Sequence, residues 1–442
     1  MAANRAIFHP DFRDTPFWWD DYAPVHIRAA LPARADVVVI GAGYTGLAAG
    51  AELARAGLGV VVLERNAPGE GASTRNGGQV SAEIGHGQAD RNREIAREAM
   101  VAFELTERLA EEGGNASLYK RCGRLDAAWT SGHFARMAVE ADALNRLHPD
   151  QARLLPPERQ REQIGSDFYA GGLCVDLAGA LHPALHYKSM LDTAISSGCQ
   201  IVSRAEVRSL SRRHAGWKVD LADGAAIEAD AVLVATNGYT GPATPGLLRR
   251  IVPVASHMIA TEELELDLAA SLLPGGRIVV DSKRVLYYYR LSPDGRRMLF
   301  GGRSRFTQVG ARTSGALLHA AMSARFPQLA GARITHSWTG NLGFTFDHLP
   351  HVGRYEGMHY ALGCNGSGIA VMAYLGHVAA RNILRPDDPP SVFEKIALPA
   401  NPLYTGDPWF LPPLGGLYRL MDDAERFLDA AGKAVRANSR AG

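Results

Sequence analysis

Short apolar runs and amphipathic stretches alternate in the first part of the chain. Residues 36–40 (DVVVI) and 60–63 (VVVL) are continuous apolar runs of the kind that form buried parallel strands. Between them, residues 47–56 are small and amphipathic, and Gly57 follows where a helix would end. The pattern predicts a strand, a helix and a second strand within about thirty residues, which is the size of a βαβ unit.

The rest of the chain continues to mix helical and strand patterns. Amphipathic periodicity predicts helices at 90–112, 133–147, 181–198, 314–324 and 369–384. Apolar runs and alternation predict strands at 200–204, 206–212, 216–221, 231–235, 359–362 and repeatedly within 251–301. We therefore expect an α/β fold (α+β overall) in which a parallel sheet is combined with a second, mixed sheet.

Three glycines directly follow the first predicted strand. Gly41, Gly43 and Gly46 (GAGYTG) fit the GxGxxG pattern and open the predicted helix. Such glycines allow a tight turn, the approach of a pyrophosphate to the backbone, and close packing of the helix on the strand. Glu64 ends the second strand, where a carboxylate can accept hydrogen bonds from ribose hydroxyls. This arrangement predicts a dinucleotide-binding site rather than a purely structural glycine turn.

The length and the net charge of the chain limit the number of domains and the kinds of partner that it can have. With 442 residues, the chain is long enough for two or three structural units. Its 47 Lys and Arg residues against 46 Asp and Glu leave a formal charge of +1, which argues against a nucleic-acid partner. A hydrophobic content of 46% is typical of a folded globular protein.

Sequence patterns also predict a cytoplasmic chain without a membrane span. Acids and prolines occur in the first thirty residues, where a signal peptide needs an apolar run. No apolar run reaches the roughly 18 residues that a membrane span requires. The 4 cysteines are widely separated and form no CxxC pair, so we predict neither a disulfide framework nor a metal site.

A second glycine-rich stretch points to the kind of dinucleotide. Residues 64–79 (ERNAPGEGASTRNGGQ) form a glycine-rich loop where a nicotinamide domain would normally enter another helix. The segment resembles the D-amino-acid-oxidase-type (DAO) flavoprotein superfamily, in the branch of the sarcosine, glycine and γ-glutamylputrescine oxidases. This resemblance implies FAD as the cofactor. It also implies non-covalent binding, because residues 338–371 carry no counterpart of the cysteine that sarcosine-type oxidases bond to the flavin, and Cys364 there is better explained as a buried small hydrophobic residue.

Further segments carry the resemblance in the same order along the chain. They are 181–191 (LHPALHYKSML), 232–241 (VLVATNGYTG), 287–303 (YYYRLSPDGRRMLFGGR), 338–354 (WTGNLGFTFDHLPHVGR), 363–371 (GCNGSGIAV) and the later LPPLGGLYRLMD. The resemblance implies that FAD is contacted by Gly41, Gly43, Tyr44, Thr45, Gly46, Glu64, Arg65, Gly71, Ser73, Arg75, Asn76, Gly77, Gly78, Gln79, Val207, Ala235, Thr236, Gly340, Asn365, Gly366, Ser367, Gly368 and Ile369.

The same resemblance implies a division into domains. A Rossmann-like FAD-binding domain is expected to be interleaved with a substrate domain built on a mixed β-sheet. We expect the FAD domain to comprise residues 1–85, 150–245 and 335–390, and the substrate domain 86–149 and 246–334. Residues 391–442 are expected to form a proline-rich segment, a helix and a tail.

Three residues are candidates for the substrate side. Alternation along the predicted strand puts Tyr288 and Arg290 on one face. The resemblance places Tyr288 on the substrate cavity, with Arg290 as a plausible partner for a carboxylate. Trp338, in the Trp-x-Gly turn, completes the candidate catalytic set. Ordinary sheet packing with a solvent-facing arginine is an equally open interpretation of Tyr288 and Arg290.

The chain departs from the family pattern at the substrate carboxylate. Amino-acid oxidases of this superfamily commonly carry Arg-Pro just after the Trp-x-Gly turn, and that arginine holds the α-carboxylate. Here Gly340 is followed by Asn341, Leu342 and Gly343. An amine without an adjacent carboxylate is therefore favoured over a plain D-amino acid, although Arg290 or Arg305 could bind an acidic substrate from another wall.

A second departure concerns the electron acceptor. Sarcosine-type oxidases place a lysine that promotes O2 reduction in the strand corresponding to RMLFGG, where Met298 and Leu299 stand here. The sequence is therefore compatible with either O2 or a quinone as the electron acceptor. His86 follows the RNGGQ loop and could line the mouth of the cavity, but a solvated or capping histidine is as plausible.

Together these features predict an FAD-dependent enzyme that oxidises a C–N bond. Hydride would pass from the amine carbon to flavin N5, the imine would be hydrolysed, and O2 would reoxidise the flavin with release of H2O2. The favoured substrates are γ-glutamylputrescine-like, secondary or ω-amines. The alternatives are a quinone-linked D-amino acid or imino acid dehydrogenase and an FAD-binding module without turnover.

Overall fold

The computed structural model describes residues 7–84, 93–113, 118–303 and 305–441, with side chains through residue 433. The strands are β1 (Phe8–Arg13), β2 (Arg34–Ile40), β3 (Val60–Glu64), β4 (Gln79–Ser81), β5 (Arg124–Ala127), β6 (Ala152–Leu155), β7 (Gly172–Val175), β8 (Ala178–Ala180), β9 (Gln200–Ser203), β10 (Val207–Arg212), β11 (Trp217–Leu221), β12 (Ala226–Val234), β13 (Val252–Thr261), β14 (Ile278–Asp281), β15 (Tyr287–Leu291), β16 (Met298–Gly302), β17 (Ile334–Phe344), β18 (His351–Tyr355) and β19 (Met358–Leu362). The helices are α1 (Tyr44–Arg55), α2 (Arg93–Glu112), α3 (Ser131–Leu147), α4 (Pro183–Ser196), α5 (Pro245–Leu248), α6 (Leu266–Leu272), α7 (Ala311–Arg325), α8 (Gly368–Leu384), α9 (Val392–Lys395) and α10 (Leu411–Ala441).

The first sheet has the order β10-β11-β12-β2-β3-β9, and β19 joins it beside β12 and β18. Its centre is parallel, because β2 pairs in parallel with β3 on one side and with β12 on the other. Val38 lies opposite Val61 in β3 and opposite Val232 in β12, and all three are buried. Burial on both faces explains why these strands are continuous apolar runs. The predicted βαβ unit is confirmed.

Two helices pack closely against one face of this sheet. Helices α1 and α8 cross where Gly376 stands in α8, and a Cβ at that position would overlap the carbonyl oxygen of Thr45. The glycine therefore lets the two backbones approach each other more closely than side chains would allow. The first residues of both helices line the same cavity.

The second sheet is mixed and has the order β1-β17-β13-β16-β15-β14-β5-β7-β6. Its long strand β13 pairs antiparallel with both β16 and β17, whereas β14 pairs in parallel with β5. Helix α7 covers β13 and β17 on one side. A mixed sheet is thus present beside the parallel one, as expected.

Two of the ranges proposed for the FAD domain contribute strands to the second sheet. Strands β6 and β7 pair within the second sheet, although residues 150–245 were expected to belong to the FAD domain. Strand β17 also belongs to the second sheet, although the range 335–390 was assigned to the FAD domain. The apolar pattern of a short strand shows that it is buried but does not identify its partner, which explains both differences.

The C-terminal segment ends in the long helix α10. Its prolines 412 and 413 stand in the first turn, where the missing N–H groups cost no helical hydrogen bond. Asp422, in the middle of the helix, is buried against the segment before β15. None of the helices in the described ranges has the length and apolar character needed to cross a membrane.

Candidate active site

A cavity of about 350 Å³ lies where the two sheets meet. The first sheet contributes the turn after β2, the segment after β3 and the end of β12 to its wall. The second sheet contributes Ser256, Val280 and Tyr288 from strands β13, β14 and β15. The cavity is within the range of small-molecule and cofactor sites, about 300–1,000 Å³.

The glycine-rich turn after β2 is held in a shape that side chains would disturb. Gly41 has φ +102°, and a Cβ there would lie 2.9 Å from the carbonyl oxygen of Ala235. A Cβ on Gly46 would overlap the carbonyl oxygen of Gly41. Gly43 precedes the first turn of α1 and lines the cavity. The three glycines thus provide the tight turn, the open approach and the close packing that a pyrophosphate-binding turn needs.

Glu64 stands at the end of β3 with its carboxylate fixed by the backbone. Its Oε2 accepts a hydrogen bond from the N–H of Ala42 at 3.0 Å, and its Oε1 accepts one from the N–H of Asn66 at 3.1 Å. Each oxygen keeps a lone pair free, so the carboxylate can also accept hydrogen bonds from two hydroxyl groups. This is the geometry expected of a ribose-binding carboxylate.

The second glycine-rich loop is supported from behind by three indoles. The indole N–H of Trp18 donates to the carbonyl of Asn76 at 2.8 Å, and that of Trp19 donates to Thr74 Oγ1 at 2.8 Å. Trp338 donates in the same way to the carbonyl of Arg75 at 2.8 Å. Trp338, a predicted catalytic residue, is fully buried and does not line the cavity. Its position makes it a support for the loop instead.

Residues 363–368 turn sharply before α8. Gly366 has φ +100°, and Ser367 and Gly368 follow it on the cavity wall at the start of the helix. Asn365 lies behind the wall, where its Oδ1 accepts from the N–H of Thr345 at 3.0 Å and closes the turn. The helix N-terminus therefore presents amides and a positive dipole to the cavity.

Almost all of the predicted FAD contacts line the cavity. Apart from Gly46, Gly78 and Asn365, all of them line the cavity. Gly46 packs α1 on β2, and Gly78, with φ +68°, would overlap the carbonyl oxygen of Leu181 if it carried a Cβ. These two glycines shape the loops without facing the cavity. His86 lies outside the described residues.

Tyr288 faces the cavity from the second sheet. Its hydroxyl is hydrogen-bonded to Ser256 Oγ at 2.9 Å, and burial raises the pKa of the phenol, which keeps it protonated. Its ring lies across Gly301, the residue opposite it in β16, where a Cβ would come within 2.6 Å of the ring. Gly301 therefore makes room for the ring of Tyr288, and Gly302 does the same for Tyr287.

Neither arginine expected on the substrate wall is there. Arg290 lies on the same side as Tyr288, as alternation predicts, but its Nη1 donates to the carbonyls of Leu181 at 2.8 Å and Gly78 at 3.2 Å. Arg290 is buried and does not line the cavity, so its expected role as a carboxylate partner is not supported. Arg305 is exposed to solvent.

The cavity wall includes residues that the sequence did not single out. Arg303, Leu286, Ser256 and Arg124 line it beside Tyr288. Arg303 stands just after the glycine pair of β16, two residues beyond the position opposite Tyr288. Pairing of β15 with β16 brings Arg303 close to Tyr288. The sequence could have pointed to Arg303 only if this pairing had been known, and a single sequence does not specify strand pairing.

Strand β16 carries buried apolar side chains where the family resemblance suggested a lysine. Met298 and Leu299 are both fully buried within the second sheet and do not line the cavity. No lysine occurs among the described residues on the cavity wall. Within the described ranges, no group of three His, Cys, Asp or Glu side chains is placed to hold a metal ion.

A glycine-framed dinucleotide cavity between a parallel and a mixed sheet defines a nucleotide-dependent α/β protein. Sequence comparison is more specific, since residues 36–382 match the DAO family, described as FAD dependent oxidoreductase. The chain belongs to this family and is an FAD-dependent amine or amino-acid oxidoreductase.

Individual relatives agree with this assignment. The chain is 32% identical over 361 residues to gamma-glutamylputrescine oxidoreductase of Escherichia coli, covering 80% of this chain and 84% of that protein. It is 31% identical over 388 residues to the probable oxidoreductase OrdL of Haemophilus influenzae, covering 83% and 87%. The structure of glycine oxidase from Geobacillus kaustophilus superposes with a TM-score of 0.70 at 20% identity, covering 85% of this chain and 99% of that one.

Proposed function

We propose that this enzyme oxidises a C–N bond of a secondary or ω-amine, of the γ-glutamylputrescine type, with non-covalently held FAD. The glycine-rich turns at residues 41–46, 71–79 and 366–368 would hold the cofactor, and Glu64 would bind its ribose. When bound there, FAD supplies the hydride acceptor and passes the electrons to a second substrate. The protein's own contribution is to bind and orient the amine and to keep water away.

One observation supports this substrate class above the others. Leu342, an apolar side chain, lines the cavity just after the Trp-x-Gly turn, where amino-acid oxidases of the family carry their carboxylate-binding arginine. Asn341 beside it bonds instead to Tyr239 through its N–H and to Gln308 through its side chain. An α-carboxylate next to the reacting carbon would therefore meet an apolar wall at this point.

Tyr288 is proposed to position the amine. Its hydroxyl is paired with Ser256 and faces the cavity, so it can accept from or donate to a nitrogen without changing its own charge. No side chain needs to act as a base, because a neutral amine donates hydride directly. Tyr288→Phe would therefore weaken amine binding more than it slows the chemical step.

Anaerobic bleaching of the flavin tests the proposal. We expect at least one secondary or ω-amine from a panel of polyamines, N-acylated polyamines and amino acids to reduce the bound FAD in the absence of O2. If every compound left the flavin oxidised, the chain would be an FAD-binding module without turnover. Acid precipitation of the protein should release the flavin into the supernatant, and flavin that stayed with the pellet would contradict non-covalent binding.

A quinone-linked dehydrogenase is a second candidate, because the described part of the cavity wall carries no lysine that could promote O2 reduction. The rate at which air reoxidises the substrate-reduced enzyme separates the two activities. Rapid reoxidation with stoichiometric H2O2 would establish an oxidase. Slow reoxidation by air together with rapid reoxidation by a soluble quinone would establish the dehydrogenase.

A further inference from the structure

Four arginines of the described residues line the cavity, and they differ in what their guanidinium groups contact. Arg124 forms ion pairs with Glu83 at 2.6 Å and Asp126 at 2.8 Å. Arg75 donates to the carbonyl of Glu70 at 2.7 Å. Arg65 directly follows Glu64, at the end of the cavity proposed for the ribose. The remaining one, Arg303, lies on the wall built by the second sheet.

Arg303 stands beside the candidate substrate-binding residues. It follows β16 directly, and its N–H bonds to the carbonyl of Leu286, which lies on the same wall. Its Nη2 lies 3.6 Å from the place a Cβ of Gly366 would take, next to the turn before α8. The guanidinium therefore sits between Tyr288 on the substrate side and the turn proposed to face the flavin.

The hydrogen-bonding capacity of this guanidinium is unused within the described residues. None of them accepts a hydrogen bond from the Arg303 side chain, and no carboxylate among them pairs with it. The group is supported on one face, because its Cζ lies 4.8 Å from the centre of the Phe344 ring. Burial lowers the pKa of this guanidinium, although it stays protonated at neutral pH.

A partly buried cation without a counter-ion is costly unless a ligand supplies the negative charge. A guanidinium held by an aromatic ring on one face leaves its edge free for a planar, bidentate anion such as a carboxylate. We propose that Arg303 is a specificity-determining residue that binds a carboxylate of the substrate, in place of the arginine missing after the Trp-x-Gly turn. This inference rests on the proposed function and narrows its substrates to amines that also carry an acid group.

Ligand binding tests the inference without turnover. Glutarate and glutaramide have the same length and no oxidisable amine, and they differ in charge. Each is titrated into the FAD-loaded protein while the flavin absorbance is followed. We expect glutarate to bind the unmodified protein about 10- to 100-fold more tightly than glutaramide, which is the range expected for a charge-assisted pair.

Variants at two nearby arginines locate the anion. Arg303→Met should lose most of the glutarate affinity and keep that for glutaramide, while Arg303→Lys should retain an intermediate glutarate affinity. Arg305→Met is the matched control, because Arg305 is exposed two residues further along and lies off the cavity wall. It should bind glutarate as the unmodified protein does. FAD content and thermal unfolding of each variant show that it is folded and loaded.

Several outcomes would overturn the inference. It fails if the unmodified protein does not prefer glutarate, or if Arg303→Met keeps its glutarate affinity within about twofold, well below a charge-assisted pair. An equal loss of affinity for glutarate and glutaramide in Arg303→Met would show that Arg303 only shapes the cavity wall. A lowered flavin midpoint potential with unchanged glutarate binding would show that the guanidinium serves the flavin. If Arg303-dependent glutarate binding is found but no amine bleaches the flavin, the proposed function fails while the anion site stands.

Discussion

At the residue scale, the cofactor cavity depends on positions where a single methyl group cannot be added. Gly46 is the clearest, since a Cβ there would meet a backbone oxygen that cannot move aside without opening the turn. The neighbouring Gly41 is constrained in another way, by its positive φ. Sequence alone suggested the roles of these glycines because a local motif implies a local backbone shape.

Replacing Gly46 by alanine should therefore cost stability and cofactor together. We expect Gly46→Ala to lose about 1–3 kcal/mol of unfolding free energy, as overpacking does, and to purify with little FAD. Gly416→Ala is the control, because this glycine is helical in α10 with open space around it. The control should be neutral or slightly stabilising and should keep its FAD. Equal FAD content in both variants would contradict the role given to Gly46.

A buried histidine makes the free energy of unfolding depend on pH. His186 in α4 packs beside Tyr44, neither of its ring nitrogens has a partner among the described residues, and burial lowers its pKa to about 4. In the unfolded chain the histidine pKa is about 6.5, so the unfolded state takes up a proton first as the pH falls. Its contribution to stability is therefore complete above about pH 6.5 and is lost as the pH falls toward 4.

Removing this histidine should flatten the acid side of the stability profile. Between pH 7.5 and pH 5, titration of His186 should lower the unfolding free energy of the unmodified protein by roughly 2 kcal/mol. We expect His186→Leu to lack this decrease. Urea unfolding at both pH values measures the difference. The exposed His214 provides the control, and His214→Leu should follow the unmodified protein. Parallel pH profiles for all three proteins would contradict the assignment.

At the element scale, Asp422 and Glu425 attach helix α10 to the segment before β15, and Asp422 makes most of the hydrogen bonds. The carboxylate of Asp422 accepts hydrogen bonds from the N–H groups of Arg284 and Val285, at 3.1 and 3.0 Å, and from the Arg284 guanidinium at 3.2 Å. The segment that it holds leads directly to Leu286 on the cavity wall. A C-terminal helix thereby fixes one edge of the candidate active site.

Asp422→Ala should loosen this segment. The change leaves the N–H groups of Arg284 and Val285 without their acceptor, whereas the Arg284 guanidinium keeps Glu425 at 2.7 Å, so we expect a loss of roughly 2–4 kcal/mol in stability. Earlier tryptic cleavage after Lys283 or Arg284 should accompany it. Asp423→Ala, at the exposed neighbouring position, is the matched control and should change neither quantity. An unchanged cleavage pattern in Asp422→Ala would show that the helix does not hold the wall.

Most elements could be predicted from the sequence, whereas the substrate wall could not. The apolar runs of β2 and β3 report burial directly, because each strand is covered on both faces. Alternation correctly placed Tyr288 and Arg290 on one side of β15, but it does not determine where a long side chain ends. Arg290 bends toward carbonyls that are distant in sequence, at Gly78 and Leu181. Only the folded chain brings those acceptors within reach.

At the scale of the whole molecule, the two sheets contribute different parts of the candidate active site. The parallel sheet ends in the glycine-rich turns that would hold FAD, and the mixed sheet supplies Tyr288, Ser256 and Arg303 on the opposite wall. The family and its cofactor are shown by the match over residues 36–382. The proposed substrate class rests on the wall from the mixed sheet, where Leu342 lines the cavity.

We propose above all that the enzyme oxidises an amine whose acid group is not the α-carboxylate of a plain amino acid. The most direct test compares the anaerobic rates of flavin bleaching by γ-glutamylputrescine, putrescine and D-alanine at equal concentration. We expect γ-glutamylputrescine to bleach the flavin at least about tenfold faster than either of the others, because only it offers both a distal amine and a remote carboxylate. Bleaching by D-alanine at the same or a greater rate would contradict the account.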